Sequence, residues 1–246
     1  NGETPQLEVT INKGSTGNKN YIANWTKDGY TINYELNGGT VTGNPTTYTI
    51  ESENITLKNP TKAGYSFIGW TGSNGETPQL EVTINKGSTG NKNYTANWTV
   101  RTDTPYTVKH WQENLPTDNN DNAENTNPDD VGATIGRPQE RTENYTLIDT
   151  EEKTGTTGAT VTPETKQYEG FTAPEAKTIT ILGDGSAVLN YYYTRNQYKL
   201  TLRKGKGISE VLATGMEEEG EKTYPYNQKI TINAEMYLGY TWDKWE

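Results

Sequence analysis

The sequence predicts a mainly β chain, α+β at most, divided into small tandem modules. Composition points there first: 42 of the 246 residues are Thr and 17 are Tyr, and Ile and Val join them in alternating segments, all strand-forming types. Punctuation is the second observation. Asn-Gly-Gly, Lys-Gly, Thr-Gly and Asn-Pro recur at intervals of about 8–12 residues, while no segment carries a sustained i, i+3, i+4, i+7 apolar stripe. The third is an internal repeat, which decides the architecture.

Residues 1–26 read NGETPQLEVTINKGSTGNKNYIANWT and residues 74–99 read NGETPQLEVTINKGSTGNKNYTANWT, differing only at Ile22 and Thr95. The offset is 73 residues, so one complete module runs from 27 to 99 and residues 1–26 are the C-terminal half of another. A more distant echo follows. Tyr30-Thr31-Ile32-Asn33-Tyr34 aligns with Tyr198-Lys199-Leu200-Thr201-Leu202, and Ile55-Thr56-Leu57 aligns with Ile230-Thr231-Ile232. The run Gly64-Tyr65-Ser66-Phe67-Ile68-Gly69-Trp70 returns as Gly239-Tyr240-Thr241-Trp242-Asp243-Lys244-Trp245. Residues 197–246 therefore read as the N-terminal half of a further module. Half-modules leave open edges and unburied rings, so 1–26 and 198–246 are candidates for self-association. With Asn1 in place of Met, the sequence reads as a piece of a longer protein.

Between the repeats, residues 104–196 form a different β module. It opens with the period-2 pattern Tyr106-Thr107-Val108-Lys109-His110-Trp111, and further strands are expected at 145–149, 177–182 and 187–194. Residues 116–130, PTDNNDNAENTNPDD, are low in complexity and read as a long surface loop. A short helical turn is expected only near 61–64 or 208–213.

Leu, Ile, Val and Phe together number 37 of 246, about 15%. Such a share borders on disorder, but 6 Trp and 17 Tyr replace the aliphatics. Each ring buries roughly 150–250 Å² and anchors a small core. Several thinly cored modules suit this composition better than one large enzyme domain. The net charge of -10 and the lack of a basic stripe argue against nucleic acid. No apolar run approaches the roughly 20 residues of a spanning helix, so no membrane insertion is expected. Zero Cys excludes disulfides, thiolate nucleophiles and zinc–thiolate sites.

The blocks Tyr30–Gly39 (YTINYELNGG), Asn59–Trp70 (NPTKAGYSFIGW) and Tyr94–Thr99 (YTANWT) occur in order. In this the chain resembles the Listeria–Bacteroides repeat, the B-repeat type of internalin B. The likeness covers 27–99 and the two half-modules, although 198–246 lacks the Asn-Pro-Thr-Lys block and has Trp242 for Phe67. It implies small β-grasp-like modules in an elongated tandem array on a bacterial surface protein. The middle module, from TVKHWQENL to NYYYTRN, resembles mucin-binding-protein-type repeats, with the Asn/Asp-rich insertion in place of a short turn. Together the resemblances imply a stalk or adhesin segment at the cell surface or wall, with a host glycan or surface protein as partner. They bring no catalytic residue and no cofactor.

The residue types agree. His110 is the only histidine, and it reads as a half-exposed strand residue; no Gly-x-Ser-x-Gly elbow accompanies it, and one imidazole builds no histidine-based metal site. Glu217-Glu218-Glu219 reads as a solvated turn. Asp118, Asn120, Asn122 and Asp129 partly imitate a calcium loop, yet Ala123 stands where the sharp turn needs Gly, and Asp129 replaces the bidentate Glu. The ring positions Tyr65, Phe67, Trp70, Trp98, Tyr240, Trp242 and Trp245 match between repeats and read as structural core. In Tyr191-Tyr192-Tyr193 adjacent side chains face opposite ways, which makes Tyr192 the preferred ligand contact. Exposed coplanar rings would instead make the chain a carbohydrate-binding array.

Overall fold

The computed structural model describes residues 6–116, 142 and 144–245. It contains strands and no helix among them, and no helix long and apolar enough to cross a membrane. The chain divides into two compact units, residues 1–100 and 101–246.

In the first unit, residues 6–28 carry no strand and are exposed throughout. Seven strands follow: β1 (Gly29–Glu35), β2 (Thr47–Thr49), β3 (Ile55–Thr56), β4 (Tyr65–Gly72), β5 (Gly75–Gln79), β6 (Thr83–Ile84) and β7 (Lys92–Val100). Five of them form one sheet in the order β2-β1-β7-β4-β5, while β3 pairs with β6 beside it. The central pair, β1 and β7, is parallel, with Ile32 against Lys92 and Glu35 against Thr95. Parallel neighbours need a crossover of a dozen residues or more, which residues 36–91 supply. Alternation aims Tyr30, Ile32 and Tyr34 at the core from β1, and Tyr94, Ala96 and Trp98 from β7. Trp70 is fully buried at their centre, against Tyr34, Phe67 and Tyr94. Gly69 holds a positive φ of 134° at a bulge in β4, where a Cβ would lie 2.5 Å from the Gln79 nitrogen; only glycine fits so close an approach.

The second unit begins with β8 (Thr104–Glu113), β9 (Tyr145–Gly155), β10 (Thr160–Val161), β11 (Phe171–Thr172), β12 (Ile179–Thr180) and β13 (Val188–Arg195). A four-stranded sheet runs β11-β13-β8-β9, again with a parallel pair, β13 and β8, at its centre. Its core gathers Tyr106, Val108, Phe171, Ile181, Leu189, Tyr191 and Tyr193. Four more strands, β14 (Gln197–Leu202), β15 (Ile208–Ala213), β16 (Gly220–Pro225) and β17 (Ile232–Met236), pair as β14–β16 and β15–β17 around Leu202, Val211 and Ala213. Arg195 ties the two parts together. Its backbone N–H donates to the Glu113 carboxylate at 2.8 Å, and its guanidinium donates to the Glu113 and Tyr226 carbonyls at 2.7 and 2.9 Å.

Two expectations about local structure are corrected here. Residues 208–213 form strand β15, not a helical turn, because Val211 and Ala213 alternate into the core and β17 supplies a ladder partner. Thr61 and Lys62 make isolated bridges to Thr40 and Tyr65 and no helical turn.

Candidate functional site

The densest cluster of titratable groups lies in the sheet of the second unit. β8 contributes His110, β9 contributes Asp149, Glu151 and Lys153 at alternate positions, and β13 contributes Tyr193. Lys166 and Tyr168 come from the segment before β11. A bulge between His110 and Trp111, which pair with Asp149 and Leu147, resets the register of β8 on β9. His110, on the side of the bulge where alternation with Tyr106 and Val108 is unbroken, turns inward among tyrosine rings, 5.8 Å from Tyr191 and Tyr193 and 6.4 Å from Tyr168 between centroids.

His110 is 0% exposed, which corrects its reading as a half-exposed strand residue. Strand alternation put it on one of two faces, and the tyrosines of β13 close over that face. Both ring nitrogens are bonded: Nδ1 lies 2.8 Å from the Tyr193 hydroxyl and Nε2 lies 2.8 Å from Glu151 Oε1. The Tyr193 oxygen also accepts the backbone N–H of Lys166 at 2.8 Å. Its own proton therefore points to Nδ1, leaving Nε2–H to donate to Glu151. The result is a directed chain from the Lys166 amide through Tyr193 and His110 to a carboxylate, with the tautomer assigned from the network.

Cations surround the acidic end. Lys153 Nζ is 2.9 Å from Glu151 Oε2, Lys166 Nζ is 3.6 Å from Glu151 Oε1, and Lys166 also pairs with Asp149. The hydrogen bond from Lys153, with that of His110, holds the Glu151 carboxyl down at about 2 against the cost of burial. Bonds to their carboxylates raise Lys153 and Lys166. Burial pushes Tyr168 and Tyr193 up, and the Tyr168 hydroxyl is buried without a partner among the described residues. A closed, fully bonded imidazole reaches no substrate proton. What the arrangement does is lock β8, β9 and β13 together at one register.

The opposite face of the same sheet carries Tyr192. It is 40% exposed, while its neighbours Tyr191 and Tyr193 are fully buried. Its ring stacks 6.1 Å from Trp111 at 25° and meets Tyr145 edge-on at 4.9 Å. Asn190 Oδ1 accepts the Trp111 indole N–H at 2.8 Å, fixing that ring in plane.

Of the ring positions expected in the core, Trp70 is buried, and Phe67 and Trp98 pack half-buried against it. Tyr65 sits at the rim with the Lys62 ammonium 4.2 Å over its ring. Tyr240, Trp242 and Trp245 are corrected: they are 50%, 41% and 46% exposed. In the complete module the equivalent rings are covered by β7, and no such strand lies beside them among the described residues. Trp242 and Trp245 instead meet edge to face at 5.0 Å. Glu217, Glu218 and Glu219 line a shallow, open recess with Lys222. Asp118, Asn120, Asn122 and Asp129 lie outside the described residues, as does most of the 116–130 loop. Among the described residues no group of three His, Cys, Asp or Glu is placed to hold a metal ion.

Glu151, Lys166 and Tyr168 belong to no motif in the sequence. The alternation of Asp149, Glu151 and Lys153 was the available signal, since residues two apart on a strand share one face. That face meets His110 through the β8–β9 ladder, in which Tyr106, Val108 and His110 stand opposite Lys153, Glu151 and Asp149.

These features define a β-repeat chain with aromatic cores and a structural polar network. Compared with known families, residues 30–97 match the Listeria-Bacteroides repeat domain, a repeat found in surface proteins. No curated protein and no solved structure matches the chain.

Proposed function

We propose that this chain is a non-enzymatic stalk or adhesin segment of a bacterial cell-surface protein, in which β-grasp-like modules, 104–196 among them as a mucin-binding-protein-like unit, space a binding region from the wall. The observation that carries the reading is the repeat itself. Residues 30–97 match a surface-protein repeat, and residues 1–26 duplicate the half-module 74–99 almost letter for letter. Duplication of small units lengthens a protein without requiring a new core. The buried, fully bonded His110 supports a role without catalysis.

Small-angle scattering of the 246-residue chain tests the spacer role. A compact protein of this length has a radius of gyration of about 18 Å. A spacer is expected to exceed about 28 Å, and a value near 18 Å would rule it out.

A second reading, carbohydrate or protein binding at an exposed ring, is favoured by the Tyr192–Trp111–Tyr145 cluster on the outer sheet face. A glycan array probed with wild type and Tyr192→Ala separates the two. Binding lost in the variant supports the second reading, and equal signals from both proteins remove it.

A further inference from the structure

The chain has no cysteine, so disulfides cannot brace its modules. Lysine and aspartate offer another covalent brace, an amide formed by loss of water, and one pair in the second unit is arranged for it. Lys27, Lys86 and Lys199 each reach an exposed glutamate. Lys166 differs: its Nζ is in contact with the Asp149 carboxylate and lies 3.6 Å from Glu151 Oε1. Asp149 and Glu151 stand two apart on β9 and share one face, so one amine meets a carboxyl group to react with and a second to exchange protons with.

Packing holds these groups in place. The Tyr191 hydroxyl donates to the Pro163 carbonyl at 2.6 Å, the Lys166 N–H donates to the Tyr193 hydroxyl at 2.8 Å, and the Tyr168 ring meets Tyr193 edge-on at 4.8 Å. The backbone is thus pinned on both sides of Lys166. Glu151 is fixed by His110 Nε2 and by Lys153. The Tyr168 hydroxyl is buried without a partner among the described residues. Burial, and next the nearby Asp149 carboxylate, push it up, so it stays protonated as a spare donor for the carbonyl oxygen of an amide. The Lys166 and Asp149 side chains are 37% and 39% exposed, which leaves a way out for a released water molecule.

We propose that Lys166 and Asp149 condense to an intramolecular amide in the folded module, with Glu151 carrying the protons. The Lys166 ammonium gives a proton to the Glu151 carboxylate, and the freed amine attacks Asp149 Cγ to form the C–N bond. Glu151 hands that proton to an Asp149 oxygen, takes the next from the nitrogen and delivers it to the same oxygen. The C–O bond then breaks and water leaves. Of the ammonium's protons one stays on the amide nitrogen and the others depart with the oxygen, and Glu151 ends as the carboxylate it was at the start. No oxidant, reductant or cofactor is needed. Glu151, held ionised by Lys153 and His110, is a weak base, so the step is slow, which suffices for a bond made once per chain. Holding the reacting groups in contact is worth an effective concentration of about 10⁵–10⁸ M, which drives the condensation in spite of the surrounding water. The bond ties β9 to the segment before β11 and closes β10 into a covalent ring.

Intact-mass spectrometry of the folded 246-residue chain, followed over days, is expected to settle about 18 Da below the mass of the sequence. Peptide fragmentation is expected to place the branch between Asp149 and Lys166. Lys166→Arg keeps the positive charge beside Asp149 but carries no nucleophilic amine. It is expected to stay at full mass and to melt about 10–20 °C lower in the second unit. Glu151→Gln keeps both reacting groups and is expected to slow the loss of water at least about a hundredfold, with exchange protection of β8 showing that the module folds. A wild type that stays at full mass would overturn the proposal. So would a loss of water that Lys166→Arg retains, as an aspartyl imide elsewhere in the chain would give. Cross-linking of Glu151→Gln at the wild-type rate would overturn the part assigned to Glu151.

Discussion

Trp25 and Trp98 stand in the same local sequence, Ala-Asn-Trp-Thr, and differ only in what surrounds them. Replacing each with alanine measures how much of the tryptophan's contribution comes from tertiary structure. Trp98 meets Phe67 edge-on at 5.4 Å, donates its indole N–H to the Leu36 carbonyl at 3.0 Å, and rests on Gly39, where a Cβ would lie 2.4 Å from the ring. Full burial of a Trp is worth about 3–5 kcal/mol against alanine. Half-burial lowers that to about 2–3, and the lost hydrogen bond adds about 1 kcal/mol. The expected cost of Trp98→Ala is therefore about 3–4 kcal/mol. A module of this size has about 4–11 kcal/mol in total, so the variant stands near the edge of folding. Trp25→Ala, at 91% exposure, is expected to cost less than about 0.5 kcal/mol. Hydrogen exchange across a urea series, at low micromolar protein, reads β4 and β7 for the first unit and β8 for the second. With a slope of about 1 kcal/mol/M, Trp98→Ala moves the first-unit midpoint down by about 3 M and leaves the second unit where it was. Equal shifts for the two variants, or a Trp98→Ala effect under about 1 kcal/mol, would refute the reasoning.

Other expectations concern the polar network and the backbone. Tyr193→Phe removes the hydroxyl that links the Lys166 amide to His110, and the unpaired groups left behind cost the second unit about 2–4 kcal/mol in urea unfolding. Glu151 has a folded pKa of about 2, below its ordinary value of 4.5, so its contribution is complete above pH 4.5 and is lost as the pH falls through 2. With a quarter of the side chain in water, that contribution is about 1–3 kcal/mol. Acid titration of the wild type against Glu151→Gln is expected to show the extra loss in the wild type alone, and parallel curves would remove the network from the account. Gly39→Ala drives a Cβ into the Trp98 ring and is expected to lower first-unit stability by about 1–3 kcal/mol, read by the same exchange experiment.

Much of the strand content was legible because strands repeat every two residues and the rings mark the inward face. Tyr30, Ile32 and Tyr34, or Tyr191 and Tyr193 against Tyr192, state their own orientation. The polar network was not legible, since Asp149, Glu151 and Lys166 become neighbours of His110 only through a long-range ladder and the packing of the segment before β11. The burial of His110 was hidden for the same reason: a strand pattern assigns a side chain to a face, and only packing decides whether that face is covered.

Local sequence determined the repeat unit, its alternation and its dependence on Tyr and Trp in place of aliphatics. Tertiary structure decided which copies of that sequence become structure. The string from Asn74 to Thr99 folds as β5, β6 and β7, because β1 and β4 offer it two ladders and Trp70 offers it a core. Nearly the same string at 6–26 forms no strand. A β-strand has no internal hydrogen bonds to hold it, so its stability belongs to the partner edge as much as to its own residues.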